Sequence, residues 1–175
     1  MHLLALCGSL RAASLNAALL RAAQDLTLPE QTLRLFDGMA ALPLFNPDLE
    51  AAPPAAVQQL RSAVAAADVL LIASPEYAHG VTAVIKNALD WLVSFEGFVN
   101  KPVLVLNASP RASHADAALR ETLRTMNARL LDEASLVLPV LGSGLGESEL
   151  AAHPAIGQPL RQRLAQLPQD LATQD

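Results

Sequence analysis

One cysteine, Cys7, is the only thiol in this sequence. An internal disulfide is therefore excluded, and no ligand pattern surrounds Cys7, so a reducing, cytoplasmic setting is expected. The four histidines, at positions 2, 79, 114 and 153, form no i, i+4 pair and have no cysteine partner, so no metal site is expected. Charge is also scarce. Only 17% of residues are charged, the net charge is −5 and the arginines are scattered singly, which argues against nucleic acid as a partner. No apolar run reaches the ~18 residues that span a bilayer. The apolar start "MHLLALC" is too short and lacks the charged region of a signal peptide, so no membrane association is expected. Gly-Lys-Ser/Thr is missing at phosphate-loop spacing and G-x-S-x-G is missing altogether, which disfavours nucleoside triphosphate hydrolysis and serine-hydrolase chemistry. Cys7 has no evident basic neighbour to activate it, so no catalytic side chain is assigned.

Apolar residues make up 52% of the 175 positions while aromatics make up 3%, so the core must be built from Leu, Val and Ala. That length suits a single domain, residues 1–175, with a substantial interior. Short, continuous apolar runs at 2–7, 68–74, 101–109 and 135–140, with an alternating run at 32–37, read as five strands. Helical stripes separate them: Leu15, Leu19, Ala22 and Leu26; Val57, Leu60 and Val64; Val81, Ile85, Ala88 and Leu92; Leu119, Leu123, Met126 and Leu130. Ile156, Leu160, Leu164 and Leu167 suggest a closing helix. Strand–helix alternation predicts a parallel sheet covered on both faces. The expected fold is α/β: a flavodoxin-like, doubly wound, three-layer arrangement of five parallel strands in the order 2-1-3-4-5. "GSGLGE" at 142–147 is not a dinucleotide fingerprint, because its third glycine would fall on Glu147; it reads as a loop.

Ligands in such sheets bind beyond the carboxyl ends of the strands. Three loops leave the sheet there: "GSLRAASLN", "SPEYAHG" and "NASPRASHADAALR". In the first, Ser14 is a good helix N-cap, Ser9 and Ser14 carry hydroxyls, Arg11 a permanent charge, and Asn16 sits in the helix's first turn. Together they suit a terminal phosphate; the plain alternative is a cap beside a solvated arginine. In the second, Pro75 favours extended backbone whose amides could meet the edge of a flat heterocycle, with Tyr77 either flanking the ring or packing structurally. His79 reads as a proton donor or a solvated loop residue. The long segment between the second strand and the next helix has prolines at 43, 47, 53 and 54, and long loops in compact domains tend to be functional.

Gly8, Ser9, Arg11, Ser14 and Asn16 match G-S-x-R-x-x-S-x-N. Pro75, Glu76 and Tyr77, followed by Lys86, Asn87, Ala88, Asp90 and Trp91, match P-E-Y and K-N-A-x-D-W. Taken together with "LPLFNPDLE", these stretches resemble the NADPH-dependent FMN reductase family, which includes flavin, quinone, azo-dye and chromate reductases. The resemblance runs over about residues 3–140. It implies FMN as cofactor and NADPH or NADH as co-substrate. It also implies hydride transfer to FMN, then electron delivery to a small-molecule acceptor: a quinone, flavin, azo compound or metal oxyanion. By the same resemblance Ser9, Arg11, Ser14, Leu15 and Asn16 hold the FMN phosphate. Pro75, Glu76, Tyr77 and Ala78 hold the isoalloxazine edge through their backbone, and Ser109 and Arg111 approach the far side of the ring. Where many members have asparagine after P-E-Y this chain has Ala78, and its third loop is not glycine-rich.

The resemblance further implies a homodimer or homotetramer. "WLVSFEGFV" (91–99), which holds three of the six aromatics, reads as either an interface or an ordinarily packed loop. A flavodoxin-like electron carrier without NAD(P)H chemistry is the alternative function.

Overall fold

In the computed structural model, which describes residues 1–132 and 135–172, the apolar runs pair side by side as expected. The last three residues of the expected 1–175 domain lie outside the described residues. The strands are β1 (His2–Cys7), β2 (Thr32–Leu35), β3 (Val69–Ala73), β4 (Glu76–Tyr77), β5 (Gly80–Val81), β6 (Pro102–Asn107), β7 (Arg129–Leu130) and β8 (Leu136–Val137). The helices are α1 (Leu15–Asp25), α2 (Ala55–Ala66), α3 (Ala83–Asp90), α4 (Ser113–Thr125), α5 (Glu147–Leu150) and α6 (Pro154–Ala172). The sheet runs β2-β1-β3-β6-β7, with β8 also on β6 and every pair parallel. This is the flavodoxin-like order.

The central strand explains the layering. Val69, Leu71 and Ala73 face a core made with Leu19, Leu20, Ile156 and Leu160 of α1 and α6. Leu70 and Ile72 face the opposite core, with Leu60 of α2, Ile85 of α3 and Leu123 of α4. The strand's period of two thus feeds both faces. Each fully buried Leu or Ile contributes about 1.5–3 kcal/mol of transfer free energy.

Three expectations are corrected, and one open alternative is narrowed. The fifth strand is not a continuous run over 135–140 but two short pieces, β7 and β8, along the same edge of β6. Between them the hydroxyl of Ser135 accepts from Val105 N–H at 3.1 Å, so a side chain fills a gap in the backbone ladder. The α4 stripe stops before Leu130, which belongs to β7; Asn127, in the left-handed region at φ 56°, turns the chain out of the helix. Val81 precedes α3 and pairs in the β4–β5 hairpin. Finally, the aromatics of 91–99 are no surface cluster. Trp91 and Phe98 are fully buried, Phe95 lies beneath the Arg61 guanidinium at 5.6 Å, and the apolar side chains the segment exposes are Val93 and Val99, beside Ser94 and Glu96.

Candidate functional site

The site is built where β1, β3 and β6 end. Gly8 extends the β1–β3 pairing, donating to Ala73 C=O at 2.8 Å. A Cβ on Gly8 would lie 2.2 Å from Ser74 Oγ, so glycine is required for the two loops to approach this closely. Thr82 ties them further. Its hydroxyl donates to Gly8 C=O at 2.7 Å and accepts from Ile85 N–H at 3.3 Å, which caps α3.

Ser14 caps α1 with Oγ accepting from Ala17 N–H at 3.2 Å, which leaves its own O–H to donate. The first intrahelical bond runs from Ala18 N–H to Ser14 C=O at 2.9 Å, so the amides of Leu15 and Asn16 precede the ladder and face the dipole's positive end. No acidic residue sits in the first turn of α1. Asn16 is 7% exposed, and its Oδ1 has no partner among the described residues. That orphaned atom is an acceptor, so the groups free to meet an anion at this end are the backbone amides of Leu15 and Asn16 and the Ser14 hydroxyl.

The second loop is a tight hairpin rather than the open extended stretch expected after Pro75. Glu76 and Tyr77 pair with Val81 and Gly80. Ala78 and His79, at φ 50° and 58°, form the two-residue turn. Sequence gave no hint of it, because Ala-His lacks the Asn-Gly signature of such turns. The Glu76 carboxylate bridges this hairpin and α4: one oxygen lies 3.1 Å from His79 Nδ1 and the other accepts from Ala115 N–H at 2.8 Å. That hydrogen bond holds its carboxyl below the ordinary carboxylate range, against the opposing pull of partial burial.

Asn107, at the end of β6, organises the third loop. Its Oδ1 accepts from Ser109 N–H at 2.9 Å and its Nδ2 donates to Ala112 C=O at 3.2 Å. Ser109 Oγ in turn accepts from Arg111 N–H at 3.2 Å.

These loops enclose a pocket of about 360 Å³, within the usual range for small-molecule sites. Of the expected residues, Ser9, Arg11, Ser14, Leu15 and Asn16 line one end. Pro75, Glu76 and Tyr77 line one side and Ser109 and Arg111 the other. Ala78 stands at the hairpin tip, off the lining. Arg11 and Arg111 have no carboxylate within ion-pair distance among the described residues, and both face the cavity. Ala13, Ala108 and Ala112 of the first and third loops also line it, as do three residues that no motif marks: Ser74, Asn107 and Leu141. Ser74 and Asn107 stand at strand ends, where the topological rule points. Leu141 comes from beyond β8 and reaches the pocket because its N–H bonds to Ala108 C=O at 2.9 Å.

The K-N-A-x-D-W stretch serves the frame rather than the pocket. Asn87 accepts from Phe45 N–H at 2.8 Å and donates to Pro43 C=O at 3.0 Å. Trp91 Nε1 donates to the same carbonyl at 2.8 Å, and Phe45 meets the indole edge-on at 5.0 Å. Together they pin the proline-rich segment to α3.

Among the described residues no group of three potential ligands could hold a metal ion, and no helix is long and apolar enough to cross a membrane. The donors fit FMN: free amides and a hydroxyl at the start of α1 that suit a phosphate, in a pocket that the second and third loops also line.

The model of the NADPH-dependent FMN reductase family matches residues 1–140. An NAD(P)H-dependent FMN reductase of Pseudomonas aeruginosa is 35% identical over 144 residues, covering 79% of this chain and 77% of that protein. An NADPH:quinone oxidoreductase of Arabidopsis thaliana is 47% identical over 92 residues, covering 50% of this chain and 46% of that protein. This chain therefore spans about half the length of that relative. The flavoenzyme NAD(P)H:(acceptor) oxidoreductase of Paracoccus denitrificans superposes with a TM-score of 0.75 at 25% identity, over 97% of this chain and 94% of that one.

Proposed function

This chain belongs to the NADPH-dependent FMN reductase family, and from that premise we propose that it is an FMN-dependent NAD(P)H oxidoreductase that passes electrons to a quinone. The observation that carries the reading is the α1 cradle: the uncommitted amides of Leu15 and Asn16 and the free O–H of Ser14 line the same pocket. Ser9, Arg11, Ser14, Leu15 and Asn16 hold the FMN phosphate. The backbone from Pro75 to Tyr77 holds the ring edge, the expected part of Ala78 falling away because it stands off the lining, and Ser109 and Arg111 bound the far side. When bound, FMN supplies the hydride-accepting and electron-donating chemistry. The chain's own part is to orient and to balance charge. Arg111, unpaired and facing the cavity, places a positive charge where negative charge develops during reduction. Tyr77, 57% exposed on the hairpin, leaves the mouth open to a second substrate.

The quinone acceptor rests on the named activity of the Arabidopsis thaliana relative. The family resemblance, together with the exposed aliphatic side chains of Val93 and Val99, supports a homodimer or homotetramer. The single Cys7 supports a cytoplasmic setting. The test is an absorbance spectrum of the purified protein with FMN, before and after anaerobic NADPH. Bound flavin that bleaches with NADPH and recovers on adding a quinone supports the assignment. Bound flavin that NADPH does not reduce makes the chain an electron carrier, and no flavin uptake at excess FMN refutes the site.

A further inference from the structure

Glu76 lines the pocket, yet its carboxylate is committed elsewhere. One oxygen accepts from Ala115 N–H at 2.8 Å, in the first turn of α4. The other lies 3.1 Å from His79 Nδ1, on the hairpin's own turn. α4 has no side-chain cap of its own, since its N-cap position is Ala112. Glu76 supplies that cap from 39 residues away, and an anionic cap answers the helix dipole as well as the free amide. A second tie runs alongside it: the ring of His79 meets that of His114 edge-on, with centroids 4.5 Å apart. His79 is held at φ 58° beside Ala78 at φ 50°. Two consecutive non-glycine residues in the left-handed region persist only where surrounding contacts over-determine them, and these two ties do so.

The hairpin and the third loop are the two sides of the slot. We propose that Glu76 is a positioning residue for the cofactor: by capping α4 and bonding His79 it locks the two sides of the pocket into one rigid body at the separation a flat ring requires. This rests on the reading of the pocket as an FMN site. Pre-organised walls bind a rigid ligand more tightly because less freedom is lost on binding.

The experiment titrates FMN into wild type, Glu76→Gln and Glu76→Ala, following flavin fluorescence and the shape of the visible band, with amide hydrogen exchange on the flavin-free proteins. Glu76→Ala raises the FMN Kd about tenfold and Glu76→Gln, which keeps an acceptor oxygen without the charge, about threefold. The flavin bound to Glu76→Ala regains the unstructured band and brighter fluorescence of free FMN. Without flavin, exchange at the Ala115 amide and across residues 76–81 accelerates together. Should Glu76→Ala not fold, Glu76→Gln carries the same comparison. Wild-type Kd and band shape in Glu76→Ala, or faster exchange at Ala115 with an unchanged hairpin, overturns the proposal. A wild type that takes up no FMN overturns the reading of the pocket and this proposal with it, and the wild-type titration alone identifies that case.

Discussion

Gly8→Ala tests how closely the first two loops must approach. The new methyl would sit 2.2 Å from Ser74 Oγ, 2.6 Å from Ser74 Cβ and 3.0 Å from Ser74 Cα. The Oγ can rotate away, but Cβ and Cα are fixed to the end of β3, so the backbone must move. Overpacking that shifts backbone destabilises by about 1–3 kcal/mol. For a domain of this size each kcal/mol lowers Tm by roughly 2–4 °C, so the flavin-free variant should melt roughly 2–12 °C below wild type. The displacement also strains the tie between the first two loops, because Gly8 C=O accepts from Thr82, which caps α3. FMN affinity should therefore fall with stability. Ser74→Gly removes the two nearest atoms, and combining it with Gly8→Ala should recover about 1 kcal/mol or more relative to the sum of the single changes. Thermal unfolding of the four proteins in the cycle, with FMN titrations, measures both effects. A Gly8→Ala protein with wild-type Tm, or strict additivity with Ser74→Gly, would refute the steric argument.

Arg11→Ala should weaken FMN binding by about tenfold or more while leaving Tm without flavin within about 1 °C, since the exposed guanidinium has no ion-pair partner to lose; equal affinity for FMN and riboflavin in wild type would contradict a phosphate role. The Glu76 carboxyl is held below its ordinary value of 4.5, chiefly by the Ala115 N–H. A depressed carboxyl contributes stability that is fully present above the unfolded-state pKa and is lost as pH falls through the folded one. The stability difference between wild type and Glu76→Gln should therefore be constant from pH 6 down to about 5 and shrink below about 4.5. Denaturant unfolding across that range measures it, and a difference that grows on acidification contradicts the sign.

How much of this was readable beforehand depends on how local each signal is. β1, β3 and β6 are buried on both faces, so each appears as an unbroken apolar run, and their order follows from helices lying between them. β7 and β8 are two residues each and lean on a serine hydroxyl supplied from Ser135, a device with no periodic trace. The hairpin at Ala78 and His79 carries no turn signature, and its geometry is held by groups on α4, distant in sequence. Ser14 was legible as a cap because N-cap bonding is local. Glu76 was legible as part of the site but not in its task, because its partner amide lies 39 positions along the chain.

The two recognisable motifs therefore do different physical work. The side chains of the first loop remain available: the hydroxyl of Ser14, the amides of Leu15 and Asn16, and the unpaired Arg11 all face the cavity. Those of the second are already spent on the protein, with Glu76 on α4, and Asn87 and Trp91 on the proline-rich segment. On the proposed reading, cofactor recognition concentrates at one end of the pocket and the second motif acts by fixing the walls. What remains free near the mouth is a small set of exposed side chains: Tyr77, Arg111 and Leu141. None belongs to the packed frame, so on the proposed reading substitutions at these three positions should change preference among electron acceptors while leaving FMN affinity and Tm near wild type, which steady-state kinetics with several quinones would measure.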